Sequence, residues 1–142
     1  MAPAKIRTYV ETGTKRAFAG AIEWPGWCRA GRDPDSALEA LFDYRTRYAK
    51  TLRGTRLGFE PPVGPAAFVV VERLKGDATT DFGAPSIAPT ADERRITDAE
   101  LARLRSILNA CWRSFDGAVD AARDRDRRPA GADPRLADGR AG

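Results

Sequence analysis

The chain's most chemically suggestive neighbourhood is Trp24-Pro25-Gly26-Trp27-Cys28-Arg29-Ala30-Gly31-Arg32, where a thiol stands beside two guanidinium groups. Nearby positive charge stabilises a thiolate, so a reactive Cys28 would draw on Arg29 and Arg32. The chain has no histidine, however. That single count excludes Ser-His-Asp and Cys-His pairs, HExxH zinc sites and an imidazole base, and nothing else supplies a base to Cys28. Asp116 and Asp120 are spaced i, i+4 and share one side of a helix, as a cation site would. Arg113 and Arg123 bracket them, and neutralised surface pairs are the expected arrangement. The Asp-Phe-Gly in "TTDFGAP" matches a kinase motif by chance, because the chain lacks an HRD loop and a glycine-rich phosphate loop. Thr79, Thr80 and Asp81 suit a local side-chain-to-backbone turn, with Phe82 tucked into the core and Gly83-Ala84-Pro85 redirecting the chain. Should that loop meet a ligand, Thr80, Asp81, Phe82 and Gly83 would be its contacts. No catalytic set, metal site or cofactor is expected, and nothing identifies a small-molecule ligand.

Composition narrows the class further. At 142 residues, 42% of them hydrophobic and 31% charged, the chain suits one domain with a real core and a polar surface. Cys28 and Cys111 stand far apart without CxxC spacing, so a disulfide framework is not expected. The net charge is +4, but arginines sit beside acids, as in "ARDRDRR", and nucleic-acid binding needs a segregated basic face instead. No segment approaches the roughly 20 apolar residues of a membrane span, and "MAPAKIRTYV" holds no secretory apolar run. A cytoplasmic protein without membrane association is expected.

The elements that would position these residues follow from periodicity. "KIRTYVE" alternates Ile6, Thr8 and Val10 against Arg7, Tyr9 and Glu11, "TGTK" supplies a turn, and "RAFAGAIEW" resumes the alternation, which together read as a hairpin. Pro25 ends that strand and Gly26 lets the chain turn into a third, short strand through Trp27, Cys28 and Arg29. Asp33 or Asp35 caps a helix with Pro34 in its first turn, and Leu38, Leu41, Tyr44, Tyr48 and Leu52 carry it from about 34 to 53, where Gly54 stops it. "AAFVVVERL" is the strongest strand run and should pair with the hairpin. Residues 75–96 lack periodicity and read as one long loop. Thr97 and Glu100 then form a capping box, with Ile96 and Leu101 placed for a hydrophobic staple. Leu101, Leu104, Leu108, Cys111, Trp112, Phe115 and Val119 make the apolar stripe of a helix over 97–123. Residues 124–142 are expected to be disordered, having only Leu136 as a sizeable apolar side chain.

Two readings of the Trp-Pro-Gly-Trp-Cys corner compete. Either its tryptophans close the sheet edge over a small buried Cys28, or Trp24, Pro25, Gly26 and Trp27 form a partner surface of the kind rich in aromatic hot spots. Trp112 and Phe115 are the second candidate surface, since the long helix carries more apolar stripe than one side of a small sheet covers. A protein partner or self-association would satisfy it.

The run "AFAGAIEWPGWCRAGRDPDSALEAL" resembles the N-terminal module of the HicB-like antitoxin family over residues 6–53, extending to the strand that ends near 74. It has the same alternating strand, Pro-Gly corner, small strand and acid-opened helix. The resemblance implies a sheet with a helix on one face and a non-catalytic module that blocks a small RNA-cleaving toxin by protein contact. The family's usual C-terminal part is a DNA-binding helix-turn-helix or ribbon-helix-helix, from which this chain departs: its second helix is long and uninterrupted, with no recognition helix following. The whole chain also resembles an uncharacterised bacterial group sharing "WPGWCRAGRD", "VVERL" and "DATTDFGAP". That group continues into a DinB-like helical part carrying histidine and glutamate. On that resemblance the alternative is a truncated, inactive relative of a small-molecule-binding or metal-dependent helical bundle. The expected architecture is α+β: a small antiparallel sheet with one helix on a face over 1–74, a loop over 75–96, a long amphipathic helix over 97–123, and a tail.

Overall fold

The computed structural model describes residues 4–127, so most of the expected tail lies outside the described residues. Three strands come first, β1 (Ile6–Thr12), β2 (Ala17–Ala21) and β3 (Cys28–Gly31), followed by helices α1 (Pro34–Asp43) and α2 (Arg45–Thr51). Strand β4 (Phe68–Lys75), the short helix α3 (Ala78–Phe82) and the long helix α4 (Asp98–Asp126) follow within the described residues. The sheet order is β3-β2-β1-β4. The first three strands pair antiparallel, while β4 runs parallel to β1. The α+β class is as expected, but the sheet is mixed where an antiparallel one was expected. The reason is topological. A hairpin reverses the chain, whereas α1 and α2 carry it across the sheet from one edge to the other, and a crossover of this kind returns a strand in parallel.

One face of the sheet is built to receive α1. Ile6 and Val10 point there together with Ala17, Ala19 and Ala21, all buried. The small alanines let the helix approach closely. Gly31 takes this furthest, since a Cβ at that position would collide with the backbone of Ser36 and Ala37. Asp33 caps α1 by accepting from the Ser36 amide at 2.8 Å, with Pro34 in the first turn. Leu41 and Ala37 then fill the core with no exposure; burying a side chain of leucine's size contributes about 1.5–3 kcal/mol.

The single helix expected over 34–53 is instead two, interrupted at Tyr44 (φ −82°, ψ −6°). No proline or glycine marks the break. The Arg45 side chain donates to the Phe42 carbonyl at 3.0 Å and lies 3.7 Å from the Phe42 ring centre, so a residue just past α1 satisfies one of its terminal acceptors. Gly54 (φ +85°) follows α2.

Two further corrections concern the C-terminal half. The stretch expected as a loop contains α3 and a 3-10 turn, Thr90–Glu93. Helix α4 has the expected Thr97–Glu100 capping box, but it runs on to Asp126, three residues beyond the expected end. Ile96 and Leu101, placed for a staple, remain 47% and 38% exposed.

Candidate functional site

The second face of the sheet is held by a polar clamp. Glu11, on β1, is completely buried. Its carboxylate accepts from the Thr80 hydroxyl at 2.7 Å, the Ile87 amide at 2.7 Å and the Ser86 amide at 3.0 Å. Thr80 is brought there by α3, whose cap Asp77 accepts from the Thr79 and Thr80 amides while the Thr80 hydroxyl receives the Asp77 amide. Ser86 donates its hydroxyl to Asp77 as well, and this contact, ahead of the backbone amides, holds the Asp77 carboxyl below its ordinary range. Further along, Glu72 of β4 accepts from the amide and hydroxyl of Thr90. Residues 76–90 are thus a strap fastened across the sheet by carboxylates.

Asp81 is part of the same strap. It does not form a local turn with Thr79 and Thr80, as the sequence suggested; it accepts from the amides of Thr14, Lys15 and Arg16 in the β1–β2 turn. Those amides, Lys15 first, depress its pKa. Phe82 was expected in the core and is 90% exposed. The cause is angular: α3 turns Thr80 inward, and a residue two positions further is rotated about 200° away. Gly83, at φ +128°, ends the helix. Every acceptor oxygen of Glu11 is occupied by donors and none meets solvent, so this clamp holds structure and offers no open carboxylate for proton transfer.

Cys28 faces the sheet's second side, where the Tyr9 hydroxyl donates to its sulfur at 3.7 Å. Burial pushes the thiol pKa up, outweighing the Tyr9 hydrogen bond and Arg29. The Arg29 guanidinium sits 4.4 Å over the Tyr44 ring. Neighbouring arginines, which a reactive thiol would have needed, do not bring the thiol pKa down here, because desolvation dominates. Burial raises the Tyr9 hydroxyl pKa in the same way.

The corner separates its two tryptophans. Trp27 is 1% exposed, donates its indole N–H to the Leu41 carbonyl at 2.9 Å and stacks on Tyr48 with ring centres 5.6 Å apart. It is a core residue and is removed from the candidate partner surface. Tyr48 in turn donates to the Pro25 carbonyl at 2.8 Å, and Gly26 turns the chain at φ +88°. Trp24 is half-buried, edge-on to Phe59 at 4.8 Å, with the Arg103 guanidinium 4.3 Å over its ring. It therefore ties the corner to α4. A cleft of about 560 Å³ lies beside this contact, lined by Ile22, Pro25, Ile96 and Leu104 and by the ion pairs Arg7–Glu23 and Arg94–Glu100.

The remaining candidates lie on α4. Only Ile107 and Ala110 of this helix are buried, and Cys111 is half-buried near Gly26. Leu108, Trp112 and Phe115 are 55%, 57% and 59% exposed, and the rings of Trp112 and Phe115 meet edge-to-face at 6.2 Å. Compared with family models, curated proteins and solved structures, the chain matches none. The geometry alone must speak for the site. It shows an aromatic and aliphatic stripe on a helix whose second half buries no residue. Asp116 and Asp120 are both exposed there, and the expected pairing with Arg113 and Arg123 is not formed: the ion pairs among the described residues are the two beside the cleft. Among the described residues there is no cluster of three or more metal-ligating side chains, and no helix long and apolar enough to cross a membrane.

The sequence missed Glu11 as a key residue, reading it as part of a polar strand face. The available signal was an acid inside a strand of β-formers, in a chain whose later segment is rich in Thr and Ser donors.

Proposed function

We propose that this chain is a non-catalytic protein-interaction module of the cytoplasm, docking through the exposed apolar stripe of α4 around Leu108, Trp112 and Phe115. The observation that carries the reading is the exposure of Leu108, Trp112 and Phe115 together on one side of a helix. Tryptophan is enriched at interface hot spots, and a contiguous apolar patch on a soluble domain marks a contact surface. A helix stretch of this length is marginal in water without packing, so a partner that covers the stripe also orders it. The order of three strands, helical crossover and fourth strand over the first 75 residues supports the resemblance to HicB-like N-terminal modules, which implies action by protein contact.

The test is a photo-reactive benzophenone side chain placed at position 115 of the full chain, with the same group at Val63, which is 94% exposed and belongs to the segment before β4 rather than to α4. Illumination in cells should give one defined cross-linked protein product from position 115 and none from position 63. Diffuse or absent products at 115 would overturn the docking role.

A further inference from the structure

Resting on that reading of α4 as the docking face, we infer that its partner is a second copy of this chain, joined by antiparallel pairing of the two α4 helices. The stripe Leu101, Leu104, Leu108, Trp112, Phe115, Val119 recurs at intervals of three and four, so it stays on one side of the helix. Ile107, which packs into the domain, lies about 100° around the helix from Leu108, and Ala110 lies further round. From Leu108 onward a partner can therefore cover the stripe while the domain keeps its own contacts, which at the start of the helix include the half-buried Leu104 at the cleft.

The stripe is also symmetric on reversal. About a point between Cys111 and Trp112, Leu108 exchanges with Phe115, Leu104 with Val119, and Leu101 with Ala122, while at the centre Trp112 falls opposite the half-buried Cys111. A surface that maps onto itself in this way is what an isologous two-fold interface requires, since residue i meets j and j meets i. The paired length, residues 101–122, is about 33 Å of helix, or three heptads.

Charge selects the direction. Between residues 101 and 113 every charged side chain is basic: Arg103, Arg105 and Arg113. From 114 to 126 the acids Asp116, Asp120, Asp124 and Asp126 outnumber Arg123 and Arg125. Parallel pairing would set like beside like. Antiparallel pairing about the same point brings Arg105 of one copy between Asp116 and Asp120 of the other, on the flank of the apolar seam where charges choose partner and orientation. None of these three residues has an ion-pair partner among the described residues. Residues 128–142 offer Leu136 as their one large apolar side chain and cannot complement a stripe of six.

The experiment uses the full chain and two complementary variants, Arg105→Glu and the pair Asp116→Arg with Asp120→Arg, in sedimentation equilibrium. The wild type should be dimeric, and each variant alone should associate about tenfold or more weakly, because like charges then face across the seam. Mixed, the two variants should form a heterodimer. At one contact the glutamate introduced in the first variant meets the two arginines introduced in the second, while at the other the native Arg105 of the second meets the native Asp116 and Asp120 of the first. That rescue also shows both variants are folded. A monomeric wild type, or variants that remain dimeric, would overturn the inference. The cross-link at position 115 separates the two levels: a product of twice the chain mass supports both, and absence of any product sinks both. A product of another mass keeps the docking face but overturns the self-pairing, reassigning the face to a different protein such as the small toxin that the HicB-like resemblance implies.

Discussion

The strap over residues 76–90 and the second half of α4 are opposites. The strap has no hydrophobic periodicity, yet it is fastened at Glu11, Glu72 and the β1–β2 turn, by contacts between residues as far apart as Glu11 and Ile87. Helix α4 has the clearest periodicity in the chain, yet beyond Cys111 it has no buried residue. Periodicity reports how an element presents a face, and says nothing about whether anything meets it. Order in a polar segment depends on where distant donors and acceptors come together, which no local pattern records.

The sharpest way to break this contrast is to remove the clamp. Glu11→Leu fits a buried position by size but leaves the Ser86 and Ile87 amides and the Thr80 hydroxyl without their acceptor. Ser86 is exposed and its amide can turn to water, whereas an unsatisfied buried donor costs about 1–3 kcal/mol, so with the Thr80 hydroxyl and the Ile87 amide stranded a loss of about 2 kcal/mol or more is expected in urea unfolding. Proteolysis within 76–90 should accelerate with it. A loss below about 1 kcal/mol would mean that the strap is held by something else. Thr80→Val is the milder cut, keeping shape and deleting only the hydroxyl between Glu11 and the Asp77 amide. About 1–2 kcal/mol should be lost, with the sheet unchanged.

What could be read from the residues divides along the same line. Cap and stripe signals are local, so Asp33-Pro34, Thr97–Glu100 and the face of α4 were legible. The break at Tyr44 was not, because no proline or glycine marks it and the Arg45 contact to the Phe42 carbonyl that accompanies it is made by a side chain. The parallel placement of β4 depends on which sheet edge it reaches after the crossover, a long-range choice. Among the candidate contact residues, type and spacing picked out Trp112 and Phe115, which are exposed, but could not tell Trp24 from Trp27. Those two are distinguished by the Trp27 indole reaching the Leu41 carbonyl, a contact no local pattern encodes. Phe82 was misplaced because the rotation of α3 is set by Thr80 meeting Glu11.

A gentler probe of the strap is acid. The Asp81 carboxyl is held below its ordinary range by the amides of Lys15, Thr14 and Arg16. A carboxylate depressed in the folded state contributes stability that is fully present above its unfolded pKa, near 3.9, and is lost as pH falls through its folded pKa. The amide resonances of Thr14, Lys15 and Arg16 should therefore shift together at a midpoint below about 3.9. A midpoint at or above that value would show that the carboxylate is not held by the turn.

The smallest effect sharpens the other side of the contrast. Gly117 lies in the unsupported half of α4, and a Cβ there would touch nothing. Gly117→Ala should strengthen the helix locally by about 1 kcal/mol, while the unfolding midpoint of the sheet changes by less than about 0.5 kcal/mol equivalent, because no core contact is altered. Position 117 lies roughly opposite Leu108 on the helix, so the added methyl leaves the apolar seam open. If the stripe pairs with a second copy, a better-ordered helix loses less freedom on association, and dimerisation should tighten by about fivefold per kcal/mol of helix gained. Helicity that rises without any change in association would mean the second half of α4 is not the part that pairs. A rise in the sheet's own stability would mean that this half of the helix, bare as it is, supports the domain after all.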